Sequence, residues 1–214
     1  MPVDGLDATD TAQTTEKAMT LDQIIRECQR AVGADDDGKP GIDTWTRLHN
    51  KLVGVKSNAD PVEVTGKVDA RSEKNIATLH PKVQPYARAL IQKATAKGWK
   101  FVITSGLRTY AEQDALFYSG SDVTKARGGH SNHNFGMAFD VTLFSGSQPV
   151  WDSPLYDALA VIAADLGLDC GAYWRSFKDL PHYQLRPAWA AGMSESVMLT
   201  ELRCRKAAGR DFFG

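Results

Sequence analysis

A run of ten residues, Ser131-Asn-His-Asn-Phe-Gly-Met-Ala-Phe-Asp140, carries an imidazole and a carboxylate seven positions apart. A second run, Asp179-Leu-Pro-His182, carries a carboxylate and an imidazole three apart. If the second run folds back onto the first, His133, Asp140 and His182 offer two imidazole nitrogens and a carboxylate oxygen to one point. Three such ligands with a fourth position open describe a catalytic zinc site, because structural zinc is normally closed by four protein ligands. Zinc imposes no ligand-field geometry and accepts this mixed donor set. It acidifies water and polarises a carbonyl, which hydrolysis of a stable amide requires. One catalytic zinc ion, and a hydrolase, are therefore expected.

Other side chains fall into supporting roles. Asp179 is the natural general base, taking a proton from the attacking water and delivering it to the leaving amine. Arg108, in Ser105-Gly-Leu-Arg-Thr-Tyr-Ala-Glu-Gln113, follows an expected strand and precedes a capped helix. Its planar guanidinium suits a substrate carboxylate or a polarised carbonyl oxygen. Gln113, one turn into that helix, is expected to face the same cleft. Ser131 is expected to hold the loop or support a ligand, and His130 to line the cleft. A nucleophilic Ser131 would need a base with its own orienting group, and the metal set leaves only His130 for that. His49 and His80 fall outside the chemistry.

These groups need elements to position them. Along the 137–144 segment, Met137, Phe139, Val141 and Leu143 share one strand face while Ala138, Asp140 and Thr142 share the other. Asp140 is thus expected over a sheet, away from the apolar row. Gly136 allows a backbone turn just before it. A buried strand is expected from Lys100 to Thr104, with further strands at Tyr173-Trp174 and at 182–185. Helices are expected from the Val83–Ala94 apolar pattern, behind the capping box Thr109-Tyr-Ala-Glu112, and after Ser153-Pro154. Helices mixed with strands that do not repeat predict an α+β fold, a small antiparallel sheet with flanking helices.

Residues 1–19 read as a flexible leader. Thr20-Leu-Asp-Gln23 is a capping box opening a helix with Ile24, Ile25, Cys28 and Val32 on one stripe. An acidic turn, Asp35-Asp-Asp-Gly-Lys-Pro-Gly41, separates it from a second helix carrying Trp45, Leu48 and Leu52, with Asp43 as its cap. The turn is no calcium loop, since Gly33 occupies the first ligand position of that pattern. Residues 54–68 read as a linker, with Val62-Glu-Val64 an alternative edge strand. The catalytic domain is expected over 69–190, and 191–214 as a tail without an assigned role.

The 214 residues suffice for one substantial core plus a small module. A net charge of -1 gives no general attraction to nucleic acid or an anionic membrane. No run spans a bilayer and no basic, apolar N-terminal segment reads as a secretory signal, so synthesis in the cytoplasm without membrane insertion is expected. Cys28, Cys170 and Cys204 are too few and scattered for a disulfide framework, and no CxxC spacing supports a cysteine metal site.

Two resemblances follow from these motifs. The helix–DGKPG–helix arrangement over 20–53, with Gln29 before it and Thr44-Trp45 after it, resembles the small peptidoglycan-binding repeat of cell-wall hydrolases. Ser131-x-His133-x-x-Gly136-x-Ala138-x-Asp140, with Asp179-x-x-His182 downstream and Ser-Gly-x-Arg108 to Gln113 upstream, resembles the VanY-type D,D-carboxypeptidase / L-alanyl-D-glutamate endopeptidase family over residues 75–186. That resemblance implies zinc on His133, Asp140 and His182, Asp179 as base, and Arg108 holding substrate or oxyanion with help from Gln113 and Ser131. It implies a monomer acting on the peptidoglycan stem peptide, in the manner of a phage endolysin released during lysis. Asp179 where many members carry Glu, and Tyr183-Gln184 after His182 where many D,D-carboxypeptidases carry Trp, lean towards the L-Ala-D-Glu bond. The alternatives are a D-alanyl-D-alanine carboxypeptidase or dipeptidase on the same scaffold, and a non-catalytic wall-binding protein.

Overall fold

The computed structural model describes residues 19–53, 64, 66–120, 124–174 and 177–214. Two short helices come first, α1 (Leu21–Val32) and α2 (Ile42–Val53). Both halves of the Thr20/Gln23 capping box form at the start of α1. At its end Gly33 takes a left-handed conformation, φ 71°. The turn between the helices is organised by Gln29, which is fully buried. Its Oε1 accepts from the Gly38 amide at 2.9 Å and its Nε2 donates to Asp37 Oδ1 at 3.0 Å. A buried amide with both ends satisfied explains why this turn is tight. The expected inward stripe is only partly inward: Ile24 and Trp45 are exposed and Cys28 is half-buried. The second helix begins at Ile42, so Asp43 lies within its first turn rather than ahead of it. Residues 1–18 and 54–63, including Val62 and Glu63 of the alternative edge strand, lie outside the described residues; Val64 is in no strand.

The remaining elements are α3 (Ala70–Ile76), α4 (Gln84–Ala96), β1 (Phe101–Ser105), α5 (Tyr110–Tyr118), a 3-10 turn at Asn132–Phe135, β2 (Ala138–Ser145), β3 (Gln148–Val150), α6 (Leu155–Asp165), β4 (Asp169–Cys170), β5 (His182–Gln184) and α7 (Glu195–Ala207). The sheet runs β1-β2-β5-β4, with β3 added to β2, and every pairing is antiparallel. This is the expected α+β arrangement. The alternation along β2 holds: Phe139, Val141 and Leu143 enter the core with Leu90 and Ile91 of α4 and Leu159 and Ala163 of α6. Tyr183 of β5 is the register partner of Phe139. Their rings stack at 5.9 Å, so the two strands that carry the opposite-facing Asp140 and His182 are fastened from below. Each such large side chain contributes about 1.5–3 kcal/mol by burial.

One expectation changes, and the tail gains a place. Tyr173-Trp174 is not a strand: the pairing stops at Cys170, and Gly171–Tyr173 turns as a 3-10 helix. The chain must leave the sheet there because Asp179 folds back, its amide donating to the Gly171 carbonyl at 3.1 Å. The 191–214 tail is an integral layer. Ser194 caps α7, whose Met198, Leu199 and Leu202 pack on Phe135 and Met137 in a second apolar cluster. All three cysteines are free thiols, and burial pushes the Cys170 thiol up to about 12. No helix among the described residues is long and apolar enough to cross a membrane.

Candidate metal centre

Asp140 and His182 are direct cross-strand partners on β2 and β5. In an antiparallel pair, opposed residues present their side chains on the same face. His133 reaches that face from the 3-10 turn just before β2. Gly136 closes the turn in a left-handed conformation, φ 64°, where an added Cβ would lie 2.8 Å from the His80 amide nitrogen. Only glycine meets both demands. On the other side of β2 the register with β1 slips between Ile103 and Ser105, so that Ser105 stands opposite Asp140. Such a bulge re-aims side chains beside a site.

His133 Nε2 lies 3.2 Å from Asp140 Oδ1, and His182 Nδ1 lies 3.5 Å from the same oxygen. The three donor atoms all fall within 4.8 Å of one another. Tetrahedral zinc with bonds near 2.0–2.1 Å separates its ligand atoms by about 3.4 Å. The donor set therefore fits one zinc ion in both chemistry and spacing. The remaining ring nitrogens are also engaged. His133 Nδ1 is 2.8 Å from the Gly106 carbonyl, and His182 Nε2 is 2.9 Å from Gln184 Oε1. Acceptors at those nitrogens take the ring protons and leave the lone pairs of His133 Nε2 and His182 Nδ1 for a cation.

Electrostatics agree with a cation-binding cluster. Burial opposes the charge on Asp140, but His133 and His182 outweigh it and hold the carboxyl well below its usual range. Burial likewise opposes protonation of His182, and contact with Asp140 overrides it, raising its pKa. Burial raises the Asp179 carboxyl above its ordinary value; the His182 charge works against that shift and the Asp140 charge adds to it.

These groups line one cleft of about 1010 Å³, whose wall includes Arg108, His130, Ser131, His133, Asp140, Asp179 and His182. Arg108 sits on the cluster's carboxylate itself, its Nη2 donating to Asp140 Oδ2 and, at 3.1 Å, to Ser105 Oγ. Ser131 caps the 3-10 turn, its Oγ accepting from the His133 amide at 3.4 Å. His130 is exposed at the cleft. Gln113 is not in the cleft. It is fully buried behind the wall, where Nε2 donates to Thr124 Oγ1 and the Ala126 carbonyl, both at 2.9 Å. The side chain points into the segment that returns from α5, so its task is to shape the wall formed by Thr124 and Ala126.

Sequence reasoning missed the residues behind His182. Gln184 Oε1 accepts from Asn132 Nδ2 at 2.6 Å as well as facing His182, and Asn132 Nδ2 also donates to Glu195 Oε1 on α7. Glu195 is held in turn by Arg186 at 3.1 Å. The period of a strand offered one signal: Gln184 lies two residues beyond His182 and so on the same face. The part played by α7 had none, because it joins across 63 residues.

The chain is similar to several known proteins. A family model described as D-alanyl-D-alanine carboxypeptidase matches residues 124–185, a span that contains His133, Asp140, Asp179 and His182. The peptidoglycan L-alanyl-D-glutamate endopeptidase CwlK of Bacillus subtilis is 39% identical over 125 residues, covering 51% of this chain and 74% of CwlK. An L-alanyl-D-glutamate peptidase of a Listeria phage is 29% identical over 118 residues, covering 54% of this chain and 41% of that protein. The solved structure of the L-Ala D-Glu endopeptidase ChiX of Serratia marcescens aligns with a TM-score of 0.47 at 28% identity, over 61% of this chain and 96% of ChiX. The match to CwlK spans most of that relative, and the chain accordingly belongs to the VanY-type D,D-carboxypeptidase / L-alanyl-D-glutamate endopeptidase family of zinc peptidases.

Proposed function

We propose that the protein hydrolyses the L-alanyl-D-glutamate bond of the peptidoglycan stem peptide, with one catalytic zinc held by His133, Asp140 and His182. The observation that carries this reading is the buried His-Asp-His cluster, flanked in its cleft by Asp179, in a chain 39% identical to a relative named for that bond. Bound there, zinc acidifies water and polarises the scissile carbonyl.

The chain's own groups do the rest. Asp179 accepts the proton of the attacking water and returns it to the leaving amine. Burial raises its pKa above the ordinary carboxylate value, the direction that favours a carboxyl which both takes and returns a proton. Arg108 fixes Asp140 from its second oxygen, and its guanidinium is a cation of the cleft wall beside the cluster, suited to the peptide carbonyl or to the D-Glu carboxylate. Gln184 and the Gly106 carbonyl set the histidine tautomers. Ser131 keeps the loop carrying His133 closed, and His130 stands where substrate enters.

A second reading is removal of a terminal D-alanine by the same site, favoured by the description of the matching family model. Mass spectrometry of purified wall treated with the protein separates the two: new N-terminal D-Glu supports the endopeptidase, and released D-Ala supports the carboxypeptidase. We further propose, from the phage relative, that the protein reaches the wall at lysis as a monomeric endolysin. Residues 20–53 would serve as its peptidoglycan-binding module and 69–190 as its catalytic domain.

A further inference from the structure

The α1–α2 hairpin is not held only by its chain connection. Arg47 of α2 pairs with Asp169 of β4, Nη2 to Oδ1 at 3.2 Å, with both side chains mostly buried. Asp169 is the register partner of Gln184, the residue that holds His182. The hairpin is therefore fastened one strand away from a metal ligand. A second contact lies at its turn. A Cβ built on Gly33 would come within 3.4 Å of the Gly192 amide nitrogen, just before the segment Met193–Glu195 that borders the cleft. Gly33, Ala34, Asp35, Thr44 and Arg47 all line the same continuous cleft as His133, Asp140, His182 and Asp179.

The size and polarity of that space bear on its occupant. At about 1010 Å³ the cleft reaches the upper end of ordinary small-ligand sites. An extended peptide advances about 3.3 Å per residue, so residues on both sides of a scissile bond can be seated in one such groove. The metal end offers imidazoles, Arg108 and the Asp179 carboxylate; the hairpin end offers Asp35, Thr44 and the Arg47–Asp169 pair. A groove with cationic and anionic groups at both ends suits a peptide bearing free carboxylates and amines.

We propose that the hairpin forms the distal wall of the substrate cleft and contacts the stem peptide beyond the bond being cut. This rests on the stem peptide being the substrate, as argued above. It goes beyond tethering, by which a wall-binding module raises the local concentration of an insoluble polymer and leaves small soluble substrates unaffected.

The test uses the full-length zinc protein and a soluble stem pentapeptide ending in D-Ala-D-Ala, which contains both candidate bonds. Two variants are compared with the parent, Arg47→Ala and Ala34→Trp. The first releases the hairpin from β4; the second adds bulk at a turn position without touching an ion pair. Both should keep the parent's zinc content and raise KM for the pentapeptide by roughly three- to tenfold, the scale of losing one partly buried contact. The charge exchange Arg47→Asp with Asp169→Arg should recover most of the loss. Parent-like KM in both variants, with slower digestion only of insoluble wall, would overturn the proposal in favour of tethering. A fall in KM would also overturn it, marking the hairpin as an obstruction. The product identifies the bond independently: D-Ala release revises the bond and leaves the KM comparison valid, whereas a parent protein that cuts neither bond removes both readings.

Discussion

His182 Nε2 stands 2.9 Å from Gln184 Oε1, and that contact decides which nitrogen faces Asp140. The same oxygen accepts from Asn132 Nδ2, which fixes it as an acceptor and His182 Nε2 as the protonated nitrogen. His182 thus presents Nδ1 to the metal position, whereas His133 presents Nε2, because its Nδ1 faces the Gly106 carbonyl. The two imidazoles face Asp140 with opposite ring nitrogens, each fixed by one acceptor.

The first prediction concerns that support. Gln184→Leu keeps side-chain bulk but removes the acceptor, so His182 is free to change tautomer and rotate. Zinc affinity should fall by about 10- to 100-fold, as for other ligand-supporting contacts. Competition with a chromophoric chelator measures it. Gln184→Glu, which keeps the acceptor, should retain most of the affinity. Equal affinity in the parent and the Leu variant would show that the amide does not orient His182.

Metal removal gives the second. Zinc binds the folded cluster and not a preformed site in the unfolded chain, so binding adds to stability by mass action. Chelation should abolish hydrolysis and lower Tm, and added Zn²⁺ should restore both. Full activity in the metal-free protein would exclude the zinc assignment.

Asp179→Asn supplies the third. The amide removes the proton acceptor while leaving His133, Asp140 and His182 in place. Zinc content should match the parent and kcat should fall by about 10²- to 10⁴-fold, the usual worth of a positioned general base. Metal analysis beside steady-state kinetics tests it, and retained turnover would pass the role to another group.

How much of this was legible beforehand follows from physical range. The period of β2 put Asp140 opposite the Phe139, Val141 and Leu143 row, since alternation is a local property of a strand. The capping boxes at Thr20 and Thr109 were equally local, and both form. Gln113 misled because helix spacing names a face but not what the next segment brings to it; the 124–126 strip claims its amide. Tyr173-Trp174 looked like a strand by composition. The chain turns instead, so that Asp179 can return to Gly171. The link from α7 to Asn132 depends on docking of distant segments, which no local pattern encodes.

A fourth prediction concerns pH. Glu73 accepts from Arg88 Nε at 2.9 Å and Nη2 at 2.8 Å, and from the Val68 amide at 3.0 Å. The Arg88 contact above all holds its pKa below the ordinary carboxylate value. A folded-state pKa below the unfolded one means the contribution is complete above the unfolded value, about 4.3, and fades as pH falls through the folded value. Glu73→Gln should therefore lower Tm clearly at pH 7 and much less at pH 3. An equal loss at both pH values would mean that shape, and not charge, is what Glu73 provides.

Gly171 carries the last. A Cβ there would lie 2.3 Å from the Asp179 carbonyl oxygen, closer than real contacts permit, and a tight 3.0 Å from the Asp179 Cβ. The Asp179 backbone is also joined to both neighbours of the site, accepting from the His182 amide at 3.1 Å and donating to the Gly171 carbonyl at 3.1 Å. Alanine at 171 must push the 179 segment outward, moving the base relative to the metal ligands. Since a displacement of about 1 Å can cost 10²-fold in rate, Gly171→Ala should reduce kcat strongly while leaving a folded protein of somewhat lower Tm. The added methyl acts on Asp179 first, so combining Gly171→Ala with Asp179→Asn should give little further loss of kcat beyond Asp179→Asn alone. Losses that multiply would mean that Gly171 matters to the site by another route than holding the base.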